Sequence, residues 1–166
     1  MMTDFRTLIE ALSGGGVEFV IVGGLAAAAH GSARLTQDVG IVYSRSPGNL
    51  ARLVGALARF RPYLRGAPPG LPFEWSERTL RRGLNFTLTT DVGDVDLLGE
   101  ITGGGSYDAI LPQTTTMEFF GRECRCLTIR ALIHVKRAAG RPRDLEAVAE
   151  LEALLEEREE GKDPGT

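Results

Sequence analysis

The sequence predicts an α/β (α+β) domain, with helices packed mainly on one side of a small mixed β-sheet. Three observations carry that expectation. An apolar run at 17–22 passes into Gly23-Gly24 and then an Ala-rich stretch, the pattern of strand, tight turn and helix. Residues 38–43 form a second apolar run, opened by Asp38. Residues 84–98 alternate apolar and polar on both sides of Asp91-Val92-Gly93, as a hairpin does.

Taken in order, Phe5, Leu8, Ile9 and Leu12 fall at helical spacing, and Gly14-Gly15-Gly16 ends that helix. Residues 17–22 then form a buried strand, 24–30 a short helix and 38–43 the second strand. Ser46-Pro47 is a good N-cap and first-turn pair, opening a helix with Leu50, Leu53, Val54 and Leu57 on its apolar face. Residues 62–72 hold four prolines and two glycines and read as a surface loop, either a connector or a wall over substrate. The hairpin of 84–98 follows, then a loop at 103–105 and a second hairpin around Gly121-Arg122. Thr128 caps a helix running through Ala138. After Arg141-Pro142 comes a last helix with Leu145, Val148, Leu151, Leu154 and Leu155 on one side. One domain is expected over 1–158, with 159–166 a disordered acidic tail.

Charge is unevenly spread. The net charge is −3, but residues 144–166 carry nine acids against two bases, which leaves the body mildly basic. No apolar run approaches the ~18 residues of a membrane span, and the start Met-Met-Thr-Asp-Phe-Arg lacks an apolar leader. Cys124 and Cys126 alternate along a strand, so they share a face and are badly placed to bridge each other. A reduced, cytoplasmic setting without membrane contact is expected. The basic residues do not form a dense stripe with interleaved aromatics, so sequence-specific nucleic-acid binding is not indicated.

Several residues point to chemistry. Glycines at a strand-to-helix turn let backbone N–H groups approach an anion, and a carboxylate on the next strand can hold the accompanying cation. Neither Gly-x-Gly-x-x-Gly nor a Gly-Lys-Ser/Thr P-loop is present, and the diglycine alone equally describes a tight packing turn. Asp94 and Asp96 share a strand face, and Asp96 precedes apolar Leu97-Leu98. A carboxylate there needs a cation or donors; with Asp38 it could take Mg²⁺, or these acids could cap turns. Lys136 falls on the apolar stripe of its helix with Ile129, Leu132 and Ile133, so it either snorkels or meets an anion.

The ordered set of strand, Gly23-Gly24, helix, His30-Gly31, Arg34, Thr36 and Asp38, a later Asp96 on a hairpin strand, and Lys136-x(4)-Arg141-Pro142-x-Asp144 resembles the small bacterial nucleotidyltransferases of the DNA polymerase beta-like superfamily. AbiEii-type toxins and minimal nucleotidyltransferases are its nearest look-alikes. The resemblance implies the nucleotidyltransferase fold and Mg²⁺-dependent transfer of a nucleoside monophosphate from a nucleoside triphosphate to an acceptor hydroxyl. RNA, for instance tRNA, or a protein would be the acceptor, and an antitoxin-like protein a partner. It implies Asp38, Asp96 and Lys136 as catalytic residues, Asp38 and Asp96 as metal ligands, and Gly23, Gly24, Arg34 and Thr36 at the nucleotide. Gly40 stands where the family carries its second Asp, and Asp94 is the substitute ligand that the strand spacing offers. The departure keeps open a non-catalytic nucleotide-binding or partner-binding module derived from that fold.

Overall fold

The computed structural model describes residues 2–161. In chain order the elements are α1 (Phe5–Gly14), β1 (Phe19–Val22), α2 (Gly23–Ala29), β2 (Asp38–Tyr43), α3 (Pro47–Leu57), β3 (Tyr63–Leu64), α4 (Glu77–Arg82), β4 (Asn85–Thr90) and β5 (Gly93–Leu98). Then follow β6 (Glu100–Ile101), β7 (Gly105–Ser106), α5 (Tyr107–Ile110), β8 (Thr114–Phe119), β9 (Arg122–Leu127), α6 (Ile129–Ala139) and α7 (Pro142–Gly161). Seven strands form one mixed sheet in the order β3-β4-β5-β2-β1-β9-β8, while β6 and β7 make a separate ribbon. β2 runs parallel to β5 and β1 parallel to β9; the other pairs of the large sheet are antiparallel.

The two middle strands are apolar on both faces because both faces are covered. All of β1 is buried, and β2 is buried from Val39 to Tyr43, so they read as continuous apolar runs. On β5 the pattern alternates: Val95 and Leu97 are fully buried, while Asp94, Asp96 and Leu98 turn to a half-open face. Cys124 and Cys126 are buried and free on β9, and burial pushes the Cys126 thiol up to about 12.

Local chemistry sets the helix starts. The Asp4, Ser46 and Thr128 side chains accept from the backbone N–H of Thr7, Asn49 and Ala131 at 3.0, 3.4 and 3.1 Å. Gly140 ends α6 in the left-handed conformation. α3 is tied to the sheet by Asn49, fully buried. Its Oδ1 accepts from Glu18 N, and its Nδ2 donates to the Glu18 and Ser44 carbonyls.

The N-terminal segment straps the starts of β2 and β5. Thr3 Oγ1 donates to Gln37 O at 2.5 Å and accepts from Asp94 N at 3.1 Å, and Asp4 N donates to Val92 O. A side chain at Gly93 would reach within 2.5 Å of the Thr3 backbone, so this crossing needs glycine.

The structure differs from the sequence-based expectation in several places. The proline-rich 62–72 segment contains the edge strand β3, too short to show a period, and α4 and the β6–β7 ribbon were likewise not foreseen. The buried face of α7 is Asp144, Ala147, Val148 and Leu151, a helical i, i+3, i+4, i+7 set; Leu145 lies outside it and is exposed. α7 also continues to Gly161, into the segment expected as a disordered tail, whose remainder lies outside the described residues.

Candidate active site

Parallel pairing of β2 and β5 sets Asp38 beside Asp94 and Gly40 beside Asp96. Side chains two apart on a strand share a face, so all three acids project to the same side. One guanidinium meets all of them. Arg65, just past the edge strand β3, has Nη2 2.9 Å from Asp96 Oδ1, Nε 3.4 Å from Asp94 Oδ2 and Nη1 3.5 Å from Asp38 Oδ2. Its fork is fixed from below, since Nε and Nη2 both donate to Leu88 O at 3.2 and 2.8 Å.

Asp96 is the most perturbed acid of the set. Burial, followed by the charge and hydrogen bonding of Asp38, pushes its carboxyl up to about 6, and Arg65 offsets only part of this. Its Oδ1 is buried and has no aligned donor: Arg65 is at ion-pair distance but off the hydrogen-bond direction.

Gly40 is not demanded by the backbone. Its φ is not in the left-handed region, and a Cβ there would sit 3.6 Å from Val22 Cγ2 and Val22 O, ordinary van der Waals contact. The position beside Asp96 therefore has room for a Cβ.

Asp38 and Asp96 open onto a cleft of about 450 Å³, with Gly24, Arg34, Lys136 and Arg143 also on its walls. Lys136 is half-buried, and burial first of all lowers its pKa; Asp144 opposes this, while Arg141, Arg34 and Arg143 add to it. Among the described residues no carboxylate lies within ion-pair distance of Lys136; Asp144, the acid whose charge acts on it, pairs with Arg141 at 2.6 Å. Arg34 pairs with Glu146 at 3.7 Å, and Glu150 accepts from Ser32 Oγ and Ala33 N, which fixes the loop before β2 against α7. The cleft thus has Asp38 and Asp96 at the strand ends, and a mixed set of Arg34, Lys136, Arg141, Arg143, Asp144 and Glu150 from the loop before β2, α6, α7 and their joint.

Seven of the residues singled out in the sequence therefore line one cleft: Gly24, Arg34, Asp38, Asp96, Lys136, Arg141 and Asp144. Gly23 lies in an adjoining recess, also lined by Lys136. Thr36 and Asp94 line another recess, of about 390 Å³, beside Phe5 and Leu35. Gly24 has a packing reason to be glycine, since a Cβ there would meet Thr36 Oγ1 at 2.5 Å. Thr36 wedges α2 against the start of β2 and donates to Asp38 O at 3.3 Å. Arg65 and Arg143 are the site residues the sequence reading missed. Arg143 sits in the quoted Arg-Pro-x-Asp segment, whereas nothing local marks Arg65.

Mg²⁺ takes one or two carboxylates and completes its shell with phosphate oxygens and water. Asp38 and Asp96 are such a pair, and Asp96 Oδ1, beside Arg65 but without an aligned hydrogen bond, keeps lone pairs for an ion, so these residues fit it. Among the described residues no group of three or more His, Cys, Asp or Glu side chains is disposed to hold a metal by itself. Nor is any helix of these residues long and apolar enough to cross a membrane.

Neither a protein-family model nor a curated protein sequence matches the chain. Among solved structures it is similar to the lincosamide antibiotic adenylyltransferase LnuA, determined with lincomycin bound. The TM-score is 0.60 at 12% identity, over 92% of this chain and 98% of that one. At that identity the likeness speaks for the fold alone: the chain adopts a nucleotidyltransferase fold.

Proposed function

We propose that the protein transfers a nucleoside monophosphate from a nucleoside triphosphate to an acceptor hydroxyl, with Mg²⁺. The observation that carries this is the cleft itself, in which two carboxylates at strand ends, Asp38 and Asp96, share one cavity with Lys136, Arg34, Arg141 and Arg143, while its α7 acids Asp144 and Glu150 are engaged by Arg141 and by Ser32 and Ala33. Asp38 and Asp96 would hold the metal. When bound, Mg²⁺ supplies charge neutralisation at the phosphates and lowers the pKa of the attacking hydroxyl. Lys136 and the arginines bind and orient the triphosphate, and Gly24, packed against Thr36, brings the backbone of the turn to the cleft wall. In the transfer, the acceptor hydroxyl gives its proton to water and its oxygen bonds to the α-phosphorus, while the bond from that phosphorus to the bridging oxygen breaks and pyrophosphate leaves.

The AbiEii-like motif order makes an RNA or protein acceptor, and a toxin-type role with an antitoxin-like partner, the finer reading. LnuA, named for an antibiotic acceptor, adds small hydroxyl-bearing molecules to the acceptor classes worth testing. Incubation with α-labelled NTPs, Mg²⁺ and extracts holding all three classes tests transfer. Slow labelling is expected, dependent on Mg²⁺ and lost in Asp38→Asn. Nucleotide binding without labelling would favour the second reading, a nucleotide-binding module, which Gly40 supports. Absence of both binding and labelling would remove the transferase proposal.

A further inference from the structure

We propose that Arg65 is the resident counter-cation of the carboxylate cluster, a positioning residue that holds the three acids together without metal and restrains how tightly they take it. This rests on the proposed metal-dependent reading and names the residue that limits its metal.

The geometry is specific. One guanidinium lies within 3.5 Å of a carboxylate oxygen of each of Asp38, Asp94 and Asp96. It comes from the far edge of the sheet, crossing β4 to reach β5 and β2. Its two donations to Leu88 O, and that of its own N–H to Thr87 O, fix it there rather than leaving it to swing in solvent. Arginine suits this place because its planar fork can face several carboxylates at once.

Charge gives the consequence. Three acids packed on one face repel one another, and with Gly40 the cluster has no further carboxylate on β2. A divalent cation entering between Asp38 and Asp96 meets a fixed positive charge already beside both. Like charges at a few ångströms in a half-buried site oppose each other strongly, so Arg65 weakens metal affinity. When the cluster holds metal, the guanidinium must share its carboxylates.

Mn²⁺ binding to the nucleotide-free protein, read as loss of the free-ion electron paramagnetic resonance signal, tests this. Arg65→Met should bind Mn²⁺ at least tenfold more tightly than wild type, and Arg65→Lys should stay near wild type. Adding Asp96→Asn to Arg65→Met should erase the gain. In parallel, Arg65→Met should melt at a lower temperature without metal and recover with Mn²⁺, while wild type shifts little; this readout serves even if the variant is weakened. Unchanged or weaker affinity in Arg65→Met, a gain that survives Asp96→Asn, or no Mn²⁺ bound by any form would each overturn the proposal. All of this is measured without nucleotide, so it can fail while labelled-nucleotide transfer stands, and the reverse.

Discussion

Asp96 carries the sharpest conflict between stability and chemistry at the level of single residues. A carboxyl held at about 6 in the folded state, against an ordinary value of 3.8, binds its proton more tightly folded than unfolded. Its contribution to stability is therefore fully present below the ordinary value and is lost as pH rises through about 6. At neutral pH the ionised group costs on the order of 2 kcal/mol, consistent with ~1.4 kcal/mol per pKa unit and some relaxation. Asp96→Asn should remove this pH dependence. The stability of the variant relative to wild type, from urea unfolding at pH 4 and pH 7, should rise by on the order of 2 kcal/mol between the two. Transfer activity should disappear. A difference that stays constant with pH would show that Asp96 ionises without strain.

At the level of elements, α6, α7 and the loop before β2 bring Lys136, Arg143 and Arg34 to the cleft, and the sequence signals of the helices are of unequal reach. Thr128 and Ser46-Pro47 announced their helices because capping is chemistry between near neighbours. The anomaly of Lys136 on an apolar stripe was equally visible, being a matter of spacing on one helix. The Leu145 face was misjudged because Asp144, buried against Arg141, takes the inward position that an apolar count assigns to leucine. Arg65 was beyond reach for a different reason: its acidic partners lie on two strands 27 or more residues away, joined only by sheet order. Lys136 gives the element-level prediction. Its charge is half-buried among arginines, with its nearest acid already engaged. Lys136→Met should leave the fold as stable as wild type or more so, while weakening nucleotide binding by roughly 10- to 100-fold, the worth of one charge-assisted contact. Calorimetric titration beside thermal melts separates the two effects. Unaltered affinity would reduce Lys136 to a rim residue.

Across the whole molecule, what makes a site of scattered acids is the parallel neighbouring of β2 and β5, and this same register places Gly40 alongside Asp96. The strand run and the lone carboxylate at its start were legible, as was the missing partner at position 40; that space exists for a side chain there was not. The 3.6 Å clearance to Val22 means that a Cβ at position 40 is accommodated without moving β1. The added carboxylate would face Asp38, Asp96 and the Arg65 guanidinium on one side of the sheet. Without metal it adds repulsion to an already crowded acidic face, so the variant should be less stable than wild type in chelator. With Mg²⁺ it adds a ligand, so the metal should restore its melting temperature by more than it moves that of wild type. Labelled nucleotide transfer should rise at least tenfold, corresponding to about 1.4 kcal/mol of barrier. If wild type already transfers as fast, a second carboxylate on β2 is dispensable here and the charge from Arg65 suffices beside one metal. If the variant gains Mg²⁺ binding but no transfer, the cleft binds nucleotide for a purpose other than turnover.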